Sequence, residues 1–191
     1  MDRRRIFALM LSCAVSGTVF AAAAVILLEP AAKERFAYSL SGYLGALINS
    51  GGVYGIPVYD VMLESFVKHG KYVLFIWFLA FVSHGAVFVY AVLFIKGLGI
   101  GFASVMTLYA FGKSGFGYAA ALYLPQNLIL VPAYIFVGYA SLCFSISPSK
   151  SPLKRNPTVE YFVALMIGLV CVFLACLTET YIIPYFIRIF L

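Results

Sequence analysis

An all-α fold, a polytopic integral membrane protein, is predicted from three features of the sequence. Apolar residues make up 64% of it and charged residues 10%, whereas soluble domains hold roughly 45–50% and 25%. Several apolar runs reach the roughly 20 residues that cross a bilayer. The lysines and arginines sit mainly at the ends of those runs, where topology signals belong. Residues 1–191 are therefore expected to form a single membrane domain in the lipid bilayer. It should have about five transmembrane helices and an extracytoplasmic amphipathic helix pair. The net charge of +6 does not point to nucleic acid, because no basic stripe interleaved with aromatics exists. Cys13, Cys143, Cys171 and Cys176 lie in apolar runs, with no Cys-x-x-Cys pair and no His at ligand spacing. No metal or cofactor is expected.

Span 1 covers 6–28, preceded by Arg3-Arg4-Arg5. A signal-peptide core is about 7–15 residues, and this run is longer, so it is read as an uncleaved helix with its N-terminus in the cytoplasm. Gly17 and Ala21 form a small-xxx-small pair suited to close helix approach. Residues 29–71 form the one long polar segment, placed outside the cytoplasm. Phe36, Leu40 and Leu44 recur at helical spacing, which predicts an amphipathic helix lying on the membrane surface. After Pro57, a second short helix carries Asp60, Glu64 and Lys68 at i, i+4 spacing. The pair either caps the bundle or offers a docking surface to an extracytoplasmic partner.

Span 2 is placed at 72–95, with Trp77 near its outer end and His84 near its middle. An ionisable residue at that depth marks a candidate site, but a neutral histidine packed against another helix is the favoured reading. Lys96-Gly97 is read as a tight inner turn, and span 3 as the short run 97–111. Gly97 and Gly101 form a GxxxG pair, so this helix is expected to depend on close packing. Span 4, 118–146, is long enough to need a bend and is expected to break near Pro125, which lacks a backbone donor. That break would set Gln126 and Asn127 inside the bilayer, with Pro132 following. The two amides then either satisfy freed backbone groups or line a solute path. Residues 147–158 are a basic cytoplasmic loop, and 159–189 form span 5, interrupted by Glu179 with Pro184 beyond it. Glu179 needs a partner, and His84, Gln126 and Asn127 are the candidates. The C-terminus then lies outside.

No catalytic set is present. The sequence has no zincin helix, no nucleophile elbow and no phosphate loop. A non-enzymatic role is expected, and a transporter or permease subunit with a polar midplane site is the alternative.

Taken in order, several features resemble the stage II sporulation protein M family. They are Lys71-Tyr72 with Phe75-Ile76-Trp77, Ile95-Lys96-Gly97, Gly101-Phe102 and Gly115. The most specific are Pro125-Gln126-Asn127-Leu128 with Pro132, and Glu179 with Pro184. The chain departs from the family pattern at Lys68-His69-Gly70, where an asparagine is common, and at Ala80, where a glycine is common. The resemblance implies a bacterial cell-membrane protein, located in the mother-cell membrane at the sporulation septum. It implies a scaffold that localises and assembles stage II sporulation proteins D and P. Those partners degrade peptidoglycan, thinning the septum so that the forespore is engulfed.

Overall fold

The computed structural model describes residues 3–49, 58–82, 85–146, 157–183 and 186. Among them all regular structure is helical: α1 (Arg3–Leu27), α2 (Pro30–Asn49), α3 (Val58–Phe78), α4 (Gly85–Phe111), α5 (Gly115–Ile146) and α6 (Pro157–Leu177). A π-helical turn, Thr178–Ile182, extends α6. Among the described residues, three stretches are long and apolar enough to cross a membrane: Arg4–Leu27, Gly85–Ser145 and Thr158–Ile182. The middle one is folded in two by the tight turn Gly112–Ser114, where Gly112 takes a φ of 58°. Glycine adopts that left-handed conformation without a Cβ penalty.

Contacts between helices fix their directions. Gly97 faces Ala14 and Gly101 faces Thr18, so α1 and α4 run parallel. His69 meets Tyr134 and Ser141 meets Ile76, so α3 and α5 run parallel to each other. Gly115 lies against Thr107, and Gly138 against Val89, which makes α5 antiparallel to α4. Tyr161 pairs with Ser141 while Gln126 pairs with Glu179, so α6 is antiparallel to α5. The result is a bundle in which α1, α4 and α6 run one way and α3 and α5 the other. Its middle is dry, with Met10, Val73, Ile76, Leu93, Val137 and Val172 fully buried. Large apolar side chains also cover the outside, such as Val87, Leu128 and Phe162, as they do on a lipid-facing bundle.

Several predicted boundaries move. No turn falls at Lys96-Gly97, because α4 continues through both residues. The chain leaves α3 instead through the tight turn Leu79–Phe81, and α4 begins at Gly85. Gly97 serves close approach rather than a turn: a Cβ there would sit 2.0 Å from the Ala14 carbonyl oxygen. The second helix of the expected surface pair is not separate, since residues 58–71 continue directly into 72–78 as α3. Ser65, His69 and Val73 bury one face of that segment, which holds it in the bundle. The break near Pro125 is absent as well. Pro125 and Pro132 both lie within α5, and neighbouring helices allow proline in a transmembrane helix. Residues 147–156, His84, Pro184 and 187–191 lie outside the described set.

Two polar features brace the ends. At one end Tyr161 stacks between Trp77 and Phe144, with ring centroids 5.2 and 4.4 Å away. Its hydroxyl donates to the Trp77 carbonyl, and Ser141 donates to the Ile76 carbonyl at 2.7 Å. At the other end Lys33 Nζ donates to the Ile26 carbonyl at 3.0 Å. A cation there satisfies a carbonyl left over by the last turn of α1. From Lys33, α2 folds back over α4, with Phe36 edge-on to Phe102 at 5.4 Å.

Candidate functional site: a polar cluster and cavity in the bundle

Three helices converge on Glu179. The π-helical turn that carries it inserts an extra residue into the helical register, a local change often found at functional sites. Ser65 and His69 lie one turn apart on α3 and share a face, and Gln126 projects from α5. Ser65 Oγ donates to Glu179 Oε2, and Gln126 Nε2 donates to the same oxygen at 2.5 Å. The second hydrogen of that amide points to His69 Nε2 at 2.9 Å. An amide nitrogen only donates, so His69 Nε2 accepts, and the imidazole is neutral with its proton on Nδ1. Nδ1 then donates to Tyr134 Oη at 3.1 Å. Turning the amide round would set its oxygen against the carboxylate, so the orientation follows from the charges. His69 Nε2 and Glu179 Oε2 lie 3.9 Å apart, bridged by Gln126 rather than paired as ions.

Lys96 lies within α4, close to this cluster. Its Nζ sits 3.4 Å from the centroid of the Tyr72 ring and 5.1 Å from that of Tyr134. Both tyrosines present their negative faces to the ammonium. A cavity of about 560 Å³ joins these groups. Its walls include His69, Tyr72, Lys96, Gln126, Asn127, Glu179 and Thr180, with Phe36, Ser39 and Leu40 of α2 across one side.

The structure brings Gln126, Asn127 and Glu179 to one cavity. Asn127 stays on its own helix, its Nδ2 donating to the Tyr123 carbonyl at 2.7 Å. Pro125 is half-buried beside Gln126, and Pro132 is exposed. Gly97 and Gly101 pack on the α1 backbone. Phe36 and Leu40 turn toward the bundle, Phe36 against Phe102 and Leu40 against Leu122 and Ile183. The α2 face expected to dock a partner is therefore in use within the chain. Asp60 and Glu64 are exposed, and the side chain of Leu44 lies outside the described set.

Sequence reasoning missed Ser65, His69, Tyr72, Lys96 and Thr180. A signal existed for three of them: Ser65, His69 and Tyr72 recur at i, i+4 and i+7, one helical face. Among the described residues no three His, Cys, Asp or Glu side chains group to hold a metal ion.

A sequence model of the family described as Stage II sporulation protein M matches residues 6–184. The chain belongs to the stage II sporulation protein M family. It is thus a membrane protein of a sporulation family. No curated protein and no solved structure matches it. The stage II sporulation protein M match takes in Ser65, His69, Lys96, Gln126 and Glu179, so the whole polar cluster lies within the family region.

Proposed function

We propose that this protein is a non-catalytic membrane scaffold. It localises stage II sporulation proteins D and P at the sporulation septum and assembles them into a peptidoglycan-degrading complex for forespore engulfment. The observation that carries this reading is the family match over 6–184. The hydrogen bonding of Glu179 supports it. That carboxylate binds Ser65 and Gln126, which ties α3, α5 and α6 together and suits a frame that holds its shape. In this reading α1, α3, α4, α5 and α6 are five spans, with α2 folded against the outer half. Arg3, Arg4 and Arg5 open α1, and the basic segment 147–156 joins α5 to α6 at that same end. The excess of positive charge makes this end cytoplasmic, so the C-terminus lies outside. Partners dock at the start of α3, where Asp60 and Glu64 are exposed.

The cavity favours a second reading, a permease subunit using Gln126, Asn127 and Glu179. Against it, side chains from α1, α3, α4, α5 and α6 fill the bundle on the inner side of the cavity. Met10, Ile76, Val89 and Val137 there are at most 1% exposed, and a path for a polar solute needs room for water.

The test is a pull-down of tagged protein from sporulating cells in mild detergent, read by mass spectrometry. Recovery of the two peptidoglycan-degrading proteins is expected. An intact preparation that instead carries an ATPase or another permease subunit would overturn the scaffold in favour of transport.

A further inference from the structure

We infer that the cavity is a binding site for a phosphate-bearing lipid whose headgroup carries hydrogen-bond donors. Four observations lead there. First, Lys96 lines the cavity, and its ammonium lies against the faces of Tyr72 and Tyr134. No carboxylate among the described residues comes within 4.0 Å of it. The rings stabilise the charge but do not neutralise it, and a cation within an apolar bundle calls for an anion. Lys68 lines the same cavity and adds a second positive charge.

Second, both hydrogen bonds to Glu179 fall on Oε2. Oε1 is left to accept from a ligand, and an accepting carboxylate selects hydroxyl or ammonium donors beside the anion. Third, Thr180 lines the cavity with a buried hydroxyl that has no hydrogen-bond partner among the described residues. Buried polar groups are seldom left unpaired. A phosphate oxygen would satisfy it.

Fourth, the wall also has a large apolar share, including Phe36, Leu40, Ile95, Ile100, Leu122 and Ile183. A free anion has no use for such a wall, whereas acyl chains do. The volume, about 560 Å³, lies within the roughly 300–1,000 Å³ of small-molecule sites. It holds a headgroup and the first carbons of its chains.

Phosphatidylglycerol is the probe, since it carries one phosphate and two hydroxyls. Phosphatidylcholine, which lacks donors and net charge, and inorganic phosphate are the controls. Purified protein is read by native mass spectrometry and by its thermal midpoint in detergent. Wild type should retain one phosphatidylglycerol, and its midpoint should rise at least twice as much with that lipid as with phosphatidylcholine. Lys96→Met should lose the adduct and the selective rise, and Lys96→Arg should keep both. A second variant covers the case in which Lys96→Met fails to fold. Gly99 lines the cavity, and a Cβ there meets nothing within 4 Å. Gly99→Leu should fold, fill the site and lose the selective rise. Equal lipid adducts on wild type, Lys96→Met and Gly99→Leu would mean surface lipid only and would overturn the assignment. A full rise with inorganic phosphate alone would overturn the lipid in favour of a free anion.

Discussion

Gly97→Ala tests the central helix contact. The new methyl would lie 2.0 Å from the Ala14 carbonyl oxygen, 3.0 Å from its carbon and 3.2 Å from the Thr18 nitrogen. All three are backbone atoms of α1, so no side chain can rotate away. Ordinary contact begins near 3.4 Å, so α1 must retreat from α4 by about 1.4 Å at this point. A gap of 0.5–1 Å already forfeits about a quarter to a half of the dispersion energy of each facing pair. Between helices in lipid, that packing is a main attraction. Overpacking costs about 1–3 kcal/mol, and an unyielding backbone puts this site at the upper end. The better helix propensity of alanine returns about 1 kcal/mol. The net expectation is about 2 kcal/mol of destabilisation, roughly a thirtyfold shift in the equilibrium.

The control is two residues away on the same helix. Gly99→Ala meets nothing within 4 Å, so it should be neutral or stabilising by up to about 1 kcal/mol. Trp77 is the single tryptophan, so its fluorescence follows unfolding in detergent without a label. A lower midpoint for Gly97→Ala and an unchanged or higher one for Gly99→Ala are expected. If both variants move the same way, the close approach of α1 and α4 is wrong.

Three further outcomes follow from the cluster and the exposed acids. Gln126→Leu removes donors from both Glu179 and His69 and should cost about 1.5–3 kcal/mol, as hydrogen bonds to charged groups do. In a cycle with Glu179→Leu the double variant should be milder than the sum, and strict additivity of the midpoints would show that the two side chains do not interact. Asn127→Leu loses only a bond to its own helix, so its cost should stay near 0.5–1.5 kcal/mol. A drop as large as that of Gln126→Leu would show that Asn127 reaches across the bundle. Asp60→Lys combined with Glu64→Lys should reduce recovery of the proposed peptidoglycan-degrading partners at normal protein abundance, and undiminished recovery would place docking elsewhere.

The helical membrane class was legible because composition and run length report directly on the solvent the chain is built for. Boundaries were less legible, since hydropathy shows where a helix suits lipid but not where an amphipathic stretch stops. Residues 58–71 carry Asp60, Glu64, Lys68 and Lys71, and so read as a surface helix. The structure leaves those charges exposed, Lys68 at the cavity, while Ser65 and His69 are buried, so one helix serves both water and bundle. Glu179 and Gln126 stood out because each is polar within an apolar run. His69 did not, because it is surrounded by charged neighbours in sequence, and only the fold shows that its own face is buried.

Lys96 shows most clearly why local reading failed. A lysine at the centre of a membrane helix costs about 2.5–3.5 kcal/mol on insertion scales. Followed by a glycine, it is most cheaply explained as a turn in water. That cost applies to a helix alone in lipid. In the bundle, Tyr72 and Tyr134 come from α3 and α5, both distant in sequence, and put aromatic faces around the ammonium. Each such contact returns about 0.5–2 kcal/mol, enough to keep the charge inside but not to cancel it. Tyr134 also ties into the structural cluster, since it accepts from His69. Stability and ligand binding therefore meet at one point. The hydrogen bonds of Glu179 hold α3, α5 and α6 in place, and that placement leaves Lys96 at the cavity with no carboxylate among the described residues within 4.0 Å.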